Sequence, residues 1–207
     1  MRGLPGRLGG YGYRMLRTLV ASVIACLGLA AEPLRVRPAT WAQPVLGSTV
    51  ENWHVVDARV MRSGQPDRDG MRELERFGVR TVLNLRNHHD DEREARGTRL
   101  HLEHLPSDAG DLTYAQILGA LRVLHSATAP VVVHCWHGSD RTGAVIAAWR
   151  IAAHGWTAEQ ALDEMVHGGY GHHDYYDNLR ILIGSIDPQR LRRDAGIATA
   201  AIAAPGP

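Results

Sequence analysis

Apolar residues along this chain follow two periods, and the two alternate. Continuous apolar or β-branched runs, typical of buried strands, occupy residues 79–85 and 131–133, and weaker strand patterns occupy residues 53–61 and 100–105. Apolar positions at helical spacing occupy residues 67–77, 113–124, 144–149, 157–166 and 175–186. Strands that alternate with helices predict an α/β fold, a single domain with a central, mostly parallel sheet flanked by helices.

Several helix ends are visible in the sequence. Thr113 with Gln116 three residues later is typical of a capping box, and Thr157 is a second predicted cap. Gly78 is predicted to stop the first helix, and Pro188 lies just beyond the last one.

The other segments are predicted to lie outside the core. Residues 32–50 carry three prolines and little pattern, so they predict a linker before a catalytic domain at residues 51–193. Residues 90–96 carry mixed charge and no apolar face, which predicts a solvated surface segment. Residues 194–207 are rich in Ala, Gly and Pro and predict a flexible tail.

The N-terminal segment has the pattern of an export signal. Arg14 and Arg17 precede an uncharged apolar run at residues 19–31, which is short for a membrane span. We expect residues 1–31 to be a signal peptide, cleaved after Ala30 or Ala31, and the mature protein to be periplasmic without stable membrane contact. The alternatives are an uncleaved membrane anchor and a cytosolic amphipathic tail, and Met15 is an alternative start.

Composition excludes some classes of protein. Among 207 residues the formal net charge is +1, so no overall field favours nucleic acid, and we expect a monomer that binds none. The two cysteines, Cys26 and Cys135, do not indicate a disulfide scaffold, because one lies in the predicted export segment.

Residues 134–143, with the sequence HCWHGSDRTG, carry the predicted chemistry. They join the apolar run at residues 131–133 to the predicted helix at residues 144–149. A tight loop that enters a helix presents unpaired backbone amides at the positive end of the helix dipole, which is an anion site. The same field favours the thiolate of Cys135, and Arg141 can bind two phosphoryl oxygens at once. A thiolate in a phosphate site implies phosphoryl transfer to sulfur and then to water.

This loop resembles the H-C-x5-R-T-G signature of the cysteine-dependent protein tyrosine and dual-specificity phosphatases. The resemblance extends to the sequences RSGQP at residues 62–66, TVLNLR at 81–86, and GW to GGYG at 155–171. It covers about residues 50–190 and is greatest to the small periplasmic bacterial dual-specificity phosphatases. It implies a protein-tyrosine-phosphatase-like fold.

The resemblance also implies a role for each loop residue. Cys135 is the nucleophile, and Arg141 binds the phosphate. The hydroxyl of Thr142 faces the sulfur and eases departure of the thiolate, and His134 orients the loop. Asp140 differs from many relatives and is expected either to orient Arg141 or to face solvent. The expected phosphate-binding residues are Trp136, His137, Gly138, Ser139, Asp140 and Arg141.

A general acid is also needed, and two carboxylates compete for the role. The family places its acid on a loop before the helix that precedes the signature strand. Asp108 and Asp111 both lie on such a loop, two and five residues after Pro106. Asp108 is preferred, because Asp111 lies beside the predicted helix cap, where helix-end chemistry is the alternative explanation.

Three functions remain open at this stage. The resemblance implies hydrolysis of phosphotyrosine in proteins, with phosphoserine and phosphothreonine as further substrates, through a cysteinyl-phosphate. The alternatives are hydrolysis of a small inositol or lipid phosphate and phosphate binding without turnover. The loop lacks the lysine that relatives acting on inositol polyphosphates often carry, which favours a phosphorylated protein. We expect no cofactor and no metal, although histidines cluster at residues 88–89, 101–104 and 172–173.

Overall fold

A computed structural model describes residues 37–198, and six strands in that part of the chain form one sheet. The strands are β1 (Gln43–Pro44), β2 (His54–Val55), β3 (Val60–Ser63), β4 (Thr81–Asn84), β5 (His101–His104) and β6 (Val131–His134). Their order in the sheet is β1-β2-β3-β6-β4-β5. The pairs β3–β6, β6–β4 and β4–β5 are parallel, and β1–β2 and β2–β3 are antiparallel. The predicted α/β fold with a mostly parallel sheet is therefore confirmed.

Strand β6 lies at the centre of the parallel part of the sheet. Val132 pairs with Met61 of β3 on one side and with Val82 of β4 on the other. Both faces of β6 are buried, which explains why its sequence is an unbroken run of valine rather than an alternation. The carboxyl ends of β3, β4 and β6 consequently meet at one edge of the sheet, and the signature loop begins there.

Six helices cover the two faces of the sheet within residues 37–198. They are α1 (Arg68–Phe77), α2 (Tyr114–Ser126), α3 (Asp140–Ala153), α4 (Ala158–His167), α5 (Asp177–Gly184) and α6 (Pro188–Ala195). Met71 and Leu74 of α1 pack with Val82 and Val132 in one apolar cluster. The other five helices contribute to a second, larger cluster, in which α3 is buried on nearly every side.

The helix ends predicted at Gly78, Thr113 and Thr157 agree with the structure. Asp67 caps α1, and Gly78 ends it in the left-handed conformation at φ 112°. Thr113 and Thr157 each form a complete capping box, with glutamine as the third helical residue. Capping is a local interaction, so the sequence alone is sufficient to place it.

Three predicted boundaries are wrong. Trp41 and Ala42 are buried and β1 follows them, so the predicted linker at 32–50 contributes to the core from residue 41. Pro188 does not follow the last helix but begins α6, where its missing amide donor costs nothing. Ala195 and Ile197 are buried, so the predicted tail joins the core through residue 197.

The prediction for residues 90–96 is also wrong. Asp91, Glu94 and Ala95 are buried rather than solvated. Ala95 joins the apolar cluster that includes Met71 and Val82, but the buried side chains of Asp91 and Glu94 are charged, and hydrophobic periodicity carries no information about such residues.

The predicted signal peptide and Cys26 lie outside residues 37–198, as do residues 199–207 of the predicted tail. None of the helices within 37–198 is long and apolar enough to cross a membrane.

Candidate active site

The signature loop lies between β6 and α3, against the end of β3. Gly138 has a φ of 73°, a conformation that L side chains rarely adopt. A Cβ atom there would lie 2.5 Å from the carbonyl of Ser63. Both facts require glycine at this position, since the backbone of the loop packs directly on the backbone of β3.

The carbonyl groups of the loop point outward, toward donors from neighbouring segments. Four such hydrogen bonds hold the loop: Leu85 N to His134 O at 2.9 Å, Gln65 N to Trp136 O at 2.9 Å, Asn52 Nδ2 to His137 O at 2.9 Å, and Arg62 Nη2 to Gly138 O at 2.6 Å. The donors come from three separate segments, around residues 52, 62–65 and 85. The loop conformation is thus fixed by the tertiary structure around it.

Four backbone amides of the loop, unlike its carbonyl groups, lack hydrogen-bond partners within the described residues. Those of Trp136, His137, Gly138 and Ser139 donate no hydrogen bond to any acceptor within residues 37–198. Trp136 and His137 are exposed, whereas Gly138 and Ser139 are buried. Four successive backbone donors without a protein partner at the N-terminus of a helix are typical of a site that binds an anion such as phosphate.

Cys135 immediately precedes these four residues and is buried, with only 3 % of the residue exposed. It is a free thiol, and the wholly buried guanidinium of Arg62 lies beneath the same loop. Burial lowers the pKa of Arg62, while the electron-rich ring of Tyr170, 3.5 Å from the guanidinium carbon, favours its charge. A cation at this point stabilises negative charge in the loop.

Arg141 is oriented by two backbone carbonyls. Its Nη1 donates to the oxygen of Leu85 at 3.1 Å and to that of Ser107 at 3.0 Å. Its Nε and Nη2 make no hydrogen bond within the described residues. These two nitrogens form the fork that binds two oxygens of a tetrahedral anion.

Asp108 and Asp111, the two predicted acids, occupy different surroundings. Asp108 lines a cavity of about 260 Å³ together with Arg141, Trp136 and Tyr176, and Asp111 is exposed and does not line it. The carboxylate of Asp108 accepts hydrogen bonds from the amide of Gly110 at 3.0 Å and from Asn87 Nδ2 at 2.9 Å. The Gly110 bond is the main cause that lowers the pKa of Asp108, with further contributions from Asn87 and Arg141.

Asp140 has neither of its two expected roles. Its carboxylate is buried and accepts from the amide of His173 at 2.9 Å, and the other oxygen lies 2.7 Å from Nδ1 of that ring. The oxygen that accepts from the His173 amide also lies 3.1 Å from Nδ1 of His172, whose side chain is fully buried. Asp140 therefore holds the segment at residues 172–173 against the start of α3, and it neither orients Arg141 nor faces solvent.

The remaining predicted residues lie at the loop, but one expected contact is missing. The hydroxyl of Thr142 is buried and has no hydrogen-bond partner in residues 37–198, so the predicted contact with the sulfur of Cys135 is not seen. The ring of His134 is buried, and its Nδ1 lies 3.1 Å from the carbonyl oxygen of Cys135.

Comparison with known proteins identifies the family. The chain is 34% identical over 185 residues to the dual specificity protein phosphatase TpbA of Pseudomonas aeruginosa, covering 86% of this chain and 83% of that protein. This chain belongs to the dual-specificity protein phosphatases. Residues 56–155 match the family model described as a polymorphic toxin system DSP-PTPase phosphatase.

Solved structures agree with this family. The crystal structure of P. aeruginosa TpbA has a TM-score of 0.71 and 32% identity and covers 78% of this phosphatase and 99% of that chain. A cysteine-to-serine variant of TpbA in complex with phosphotyrosine matches equally well, at 31% identity over 79% of this chain and 100% of that one. The core catalytic domain of the PP-IP phosphatase SIW14 from S. cerevisiae, at 20% identity and a TM-score of 0.61 over 71% of this chain and 92% of that one, shares the fold.

Sequence reasoning missed three side chains of this phosphatase that hold the loop: Asn52, Arg62 and Asp91. The sequence could have pointed to Arg62, because a charged residue in a buried strand is rare unless its charge is paired or hydrogen-bonded. Asn52 has a φ of 54°, which a sequence does not reveal. The sequence did not indicate the role of Asp91, because its partner His134 is 43 residues away in the chain.

Proposed function

We propose that this protein hydrolyses phosphotyrosine in proteins, and phosphoserine and phosphothreonine more slowly, through a cysteinyl-phosphate. The observation that carries the proposal is the run of four unpaired amides that follows Cys135, with the free fork of Arg141 beside it. We expect a phosphoryl group bound by these amides to lie within reach of the Cys135 thiolate, because the nucleophile belongs to the same loop. The phosphotyrosine complex of the relative TpbA supports the choice of substrate.

In the first step, the thiolate of Cys135 attacks phosphorus, so the S–P bond forms as the P–O bond to tyrosine breaks. The amides and Arg141 stabilise the equatorial oxygens as their charge develops. Asp108 gives its proton to the leaving tyrosine oxygen, which therefore departs as a neutral phenol. Because the pKa of Asp108 lies below its ordinary acidic value, only a very small fraction of the free enzyme carries this proton near neutral pH, and catalysis that needs it is favoured at acidic pH.

In the second step, water attacks the phosphorus of the cysteinyl-phosphate. Asp108, now a carboxylate, takes a proton from that water as the P–O bond forms and the S–P bond breaks. The products are inorganic phosphate and the thiolate of Cys135. Thr142 is the proposed donor to this thiolate.

The depth of the site favours an aryl phosphate. The sulfur is nearly buried, whereas Trp136 at the rim is 54 % exposed and Tyr176 lines the same cavity. Arg86 stacks on the Trp136 ring at 4.1 Å and holds it in place. A phenyl ring spans the distance from rim to phosphate and packs on these aromatic rings, which the shorter serine side chain does not do.

A second candidate substrate rests on the neighbouring cavity. That cavity, of about 570 Å³, is lined by Arg68, Arg86 and Arg93 and shares Trp136 with the catalytic one. Several arginines beside a phosphate site suit a substrate with more than one phosphate, such as an inositol phosphate. However, Arg93 is bound to Glu94 and Arg86 to Gln65, so phosphotyrosine remains the first candidate.

The test is phosphate release from matched phosphotyrosine, phosphoserine and phosphothreonine peptides and from a panel of inositol phosphates. We expect the largest kcat/KM on phosphotyrosine peptides. A larger value on an inositol phosphate would replace the proposed substrate. Lack of turnover on every substrate, including an activated aryl phosphate, would favour a binding module.

We also propose that the enzyme is exported to the periplasm, with residues 1–31 as a cleaved signal peptide. The support is the sequence pattern alone, namely two arginines followed by a short uncharged apolar run. N-terminal sequencing of protein from an osmotic-shock fraction should find a start at Ala31 or the next residue. An intact Met1 or Met15 start in the cytosol would refute export.

A further inference from the structure

A cluster of side chains that suit a metal ion lies behind the phosphate loop, away from the reacting atoms. It consists of His89, Asp91 and Glu94, whose ligand atoms all lie within 4.8 Å of one another. We propose that these three side chains form a divalent-cation site, and that zinc is the cation it fits best.

The distances within the cluster suit a tetrahedral ion. The Nε2 atom of His89 is 3.4 Å from Oε2 of Glu94 and 3.8 Å from Oδ1 of Asp91. Zinc bonds of about 2.0–2.2 Å at tetrahedral angles place neighbouring ligand atoms roughly 3.3–3.6 Å apart. The two distances from His89 are close to these values, and the oxygens of Asp91 and Glu94 lie within 4.8 Å of each other, so an ion can contact all three atoms after side-chain adjustment.

Two of the ligand atoms have no other partner. The Nε2 atom of His89 and Oε2 of Glu94 are buried and make no hydrogen bond within residues 37–198. The Glu94 side chain is only 10 % exposed. Buried polar atoms are normally satisfied, and two such atoms 3.4 Å apart and not hydrogen-bonded to each other are unusual. An ion between them satisfies both at once.

The other atoms of these ligands are already held in place. Arg93 donates to Oε1 of Glu94 at 2.8 Å, so Oε2 is left to face the cluster. Asp91 accepts from His134 through Oδ2 at 2.7 Å, and its Oδ1 accepts from Gln65 Nε2 at 2.8 Å and keeps one lone pair for an ion. Outer contacts of this kind orient the ligands of protein metal sites.

An ion has a route to the cluster and room for a fourth ligand. His89 and Glu94 line the cavity of about 570 Å³, which opens to solvent. Water from this cavity completes a tetrahedral shell of one nitrogen and three oxygens. Because Asp91 is shared with His134, a bound ion would be linked to the phosphate loop through these two side chains.

The competing explanation is that a protonated His89 forms an ion pair with the two carboxylates and that no metal binds. Zinc titration by calorimetry separates the two explanations. The protein is the full chain carrying Cys135→Ser, which removes the catalytic thiolate as a competing zinc ligand. We expect one zinc ion per chain at this site.

His89→Gln and Glu94→Gln in that background should each weaken zinc binding more than about 100-fold, since each removes a direct ligand. The matched control is Glu92→Gln, because Glu92 is an exposed carboxylate in the same segment, and its affinity should not change. Circular dichroism of each variant shows whether it is folded.

X-ray absorption of the zinc-bound Cys135→Ser protein gives a second measurement that needs no ligand variant. We expect nitrogen and oxygen neighbours at about 2.0–2.1 Å, including one imidazole. A sulfur neighbour near 2.3 Å, no saturable binding, or equal affinity in Glu94→Gln and Glu92→Gln would each overturn the proposal.

Discussion

Asp91 and His134 form a buried pair in which Oδ2 of the carboxylate lies 2.7 Å from Nε2 of the ring. The other ring nitrogen faces the carbonyl oxygen of Cys135, so the pair fixes the residue that precedes the nucleophile. Burial raises the pKa of Asp91, but the hydrogen bond and charge of His134, together with Gln65, outweigh burial and leave the pKa below its usual value. Asp91 is therefore a carboxylate at neutral pH and holds the ring in one orientation.

Asp91→Ala should lower both stability and activity. It leaves Nε2 of the buried His134 without a partner, which costs about 1–3 kcal/mol of the free energy of unfolding. We also expect kcat/KM on an aryl phosphate to fall about tenfold, since misplacement of the loop by a fraction of an ångström weakens its contacts with the transition state. Urea unfolding and steady-state kinetics measure the two effects. Asp90→Ala, at the exposed neighbour, is the control and should change neither.

The parts of the site that depend on contacts between neighbouring residues could be predicted from the sequence, and the parts that depend on distant residues could not. The β6–loop–α3 unit, with Cys135 and Arg141, was predictable because one continuous stretch carries the strand, the loop and the first turn of the helix. The roles of Asp91 and Asp140 were not, since their partners His134 and His173 are 43 and 33 residues away. Polar contacts over such separations leave no periodic pattern in a sequence.

The same distinction applies to the fold. The capping boxes at Thr113 and Thr157 were predictable, because donor and acceptor are three residues apart. The burial of Ala42 was not, because its amide bonds to Glu164 of α4, 122 residues later. Glu164 lies on a helix that was predicted, but the core positions of that helix were predicted from its apolar residues alone. A buried carboxylate among them was therefore missed.

Cys135→Ser should abolish turnover and retain anion binding. The hydroxyl is a far weaker nucleophile than the thiolate, whereas the loop amides and Arg141 are unchanged. Vanadate or phosphate binding by calorimetry, next to turnover of an aryl phosphate, separates the two functions. Turnover equal to the wild type would refute the cysteinyl-phosphate.

Arg141→Lys should lose most activity and also weaken anion binding, in contrast to Cys135→Ser. Lysine keeps the positive charge but lacks the planar fork, and it cannot donate to the carbonyls of Leu85 and Ser107 while binding two phosphoryl oxygens. Activity close to that of the wild type in this variant would mean that charge alone is sufficient at this position.

Asp108→Asn should lower the rate about 10²–10⁴-fold on a substrate with a poor leaving group, the usual size of general acid catalysis. The loss should be much smaller on an activated aryl phosphate, whose leaving group needs no proton. The control is Asp111→Asn, because Asp111 lies outside the catalytic cavity. If Asp111→Asn shows the leaving-group dependence and Asp108→Asn does not, the assignment of the acid is wrong.

Asn87→Ala should move the basic limb of the pH–rate profile to higher pH. Asn87 donates to the charged form of Asp108, and that bond helps to hold the pKa of Asp108 low. Its removal raises the pKa, so the acid keeps its proton to higher pH. The measurement is kcat/KM against pH on a phosphotyrosine peptide. An unchanged or lowered basic limb would contradict the role of Asp108 as the acid that sets it.

Glu164→Gln should destabilise the fold in a pH-dependent manner. The buried carboxylate receives Nε of Arg150 at 2.7 Å and Nη2 at 2.9 Å, and the amide of Ala42 at 2.6 Å. Loss of its charge leaves the buried Arg150 without a counter-ion, which costs about 3–5 kcal/mol of the free energy of unfolding. Glu159→Gln, at an exposed position on the same helix, should cost little.

The pH dependence of this effect has a definite sign. Burial raises the pKa of Glu164, but the hydrogen bonds and charge of Arg150 outweigh it, so the pKa in the folded state is below its ordinary value. A carboxylate whose pKa is lower in the folded state than in the unfolded state stabilises the fold at any pH above the unfolded-state pKa, which is about 4.3 for glutamate. This contribution is lost as the pH falls through the pKa of the folded state. Urea unfolding should therefore show the full difference between wild type and Glu164→Gln at neutral pH and a shrinking difference below about pH 4. A difference that stays constant down to about pH 3, or grows there, would mean that shape rather than charge sets the role of this carboxylate.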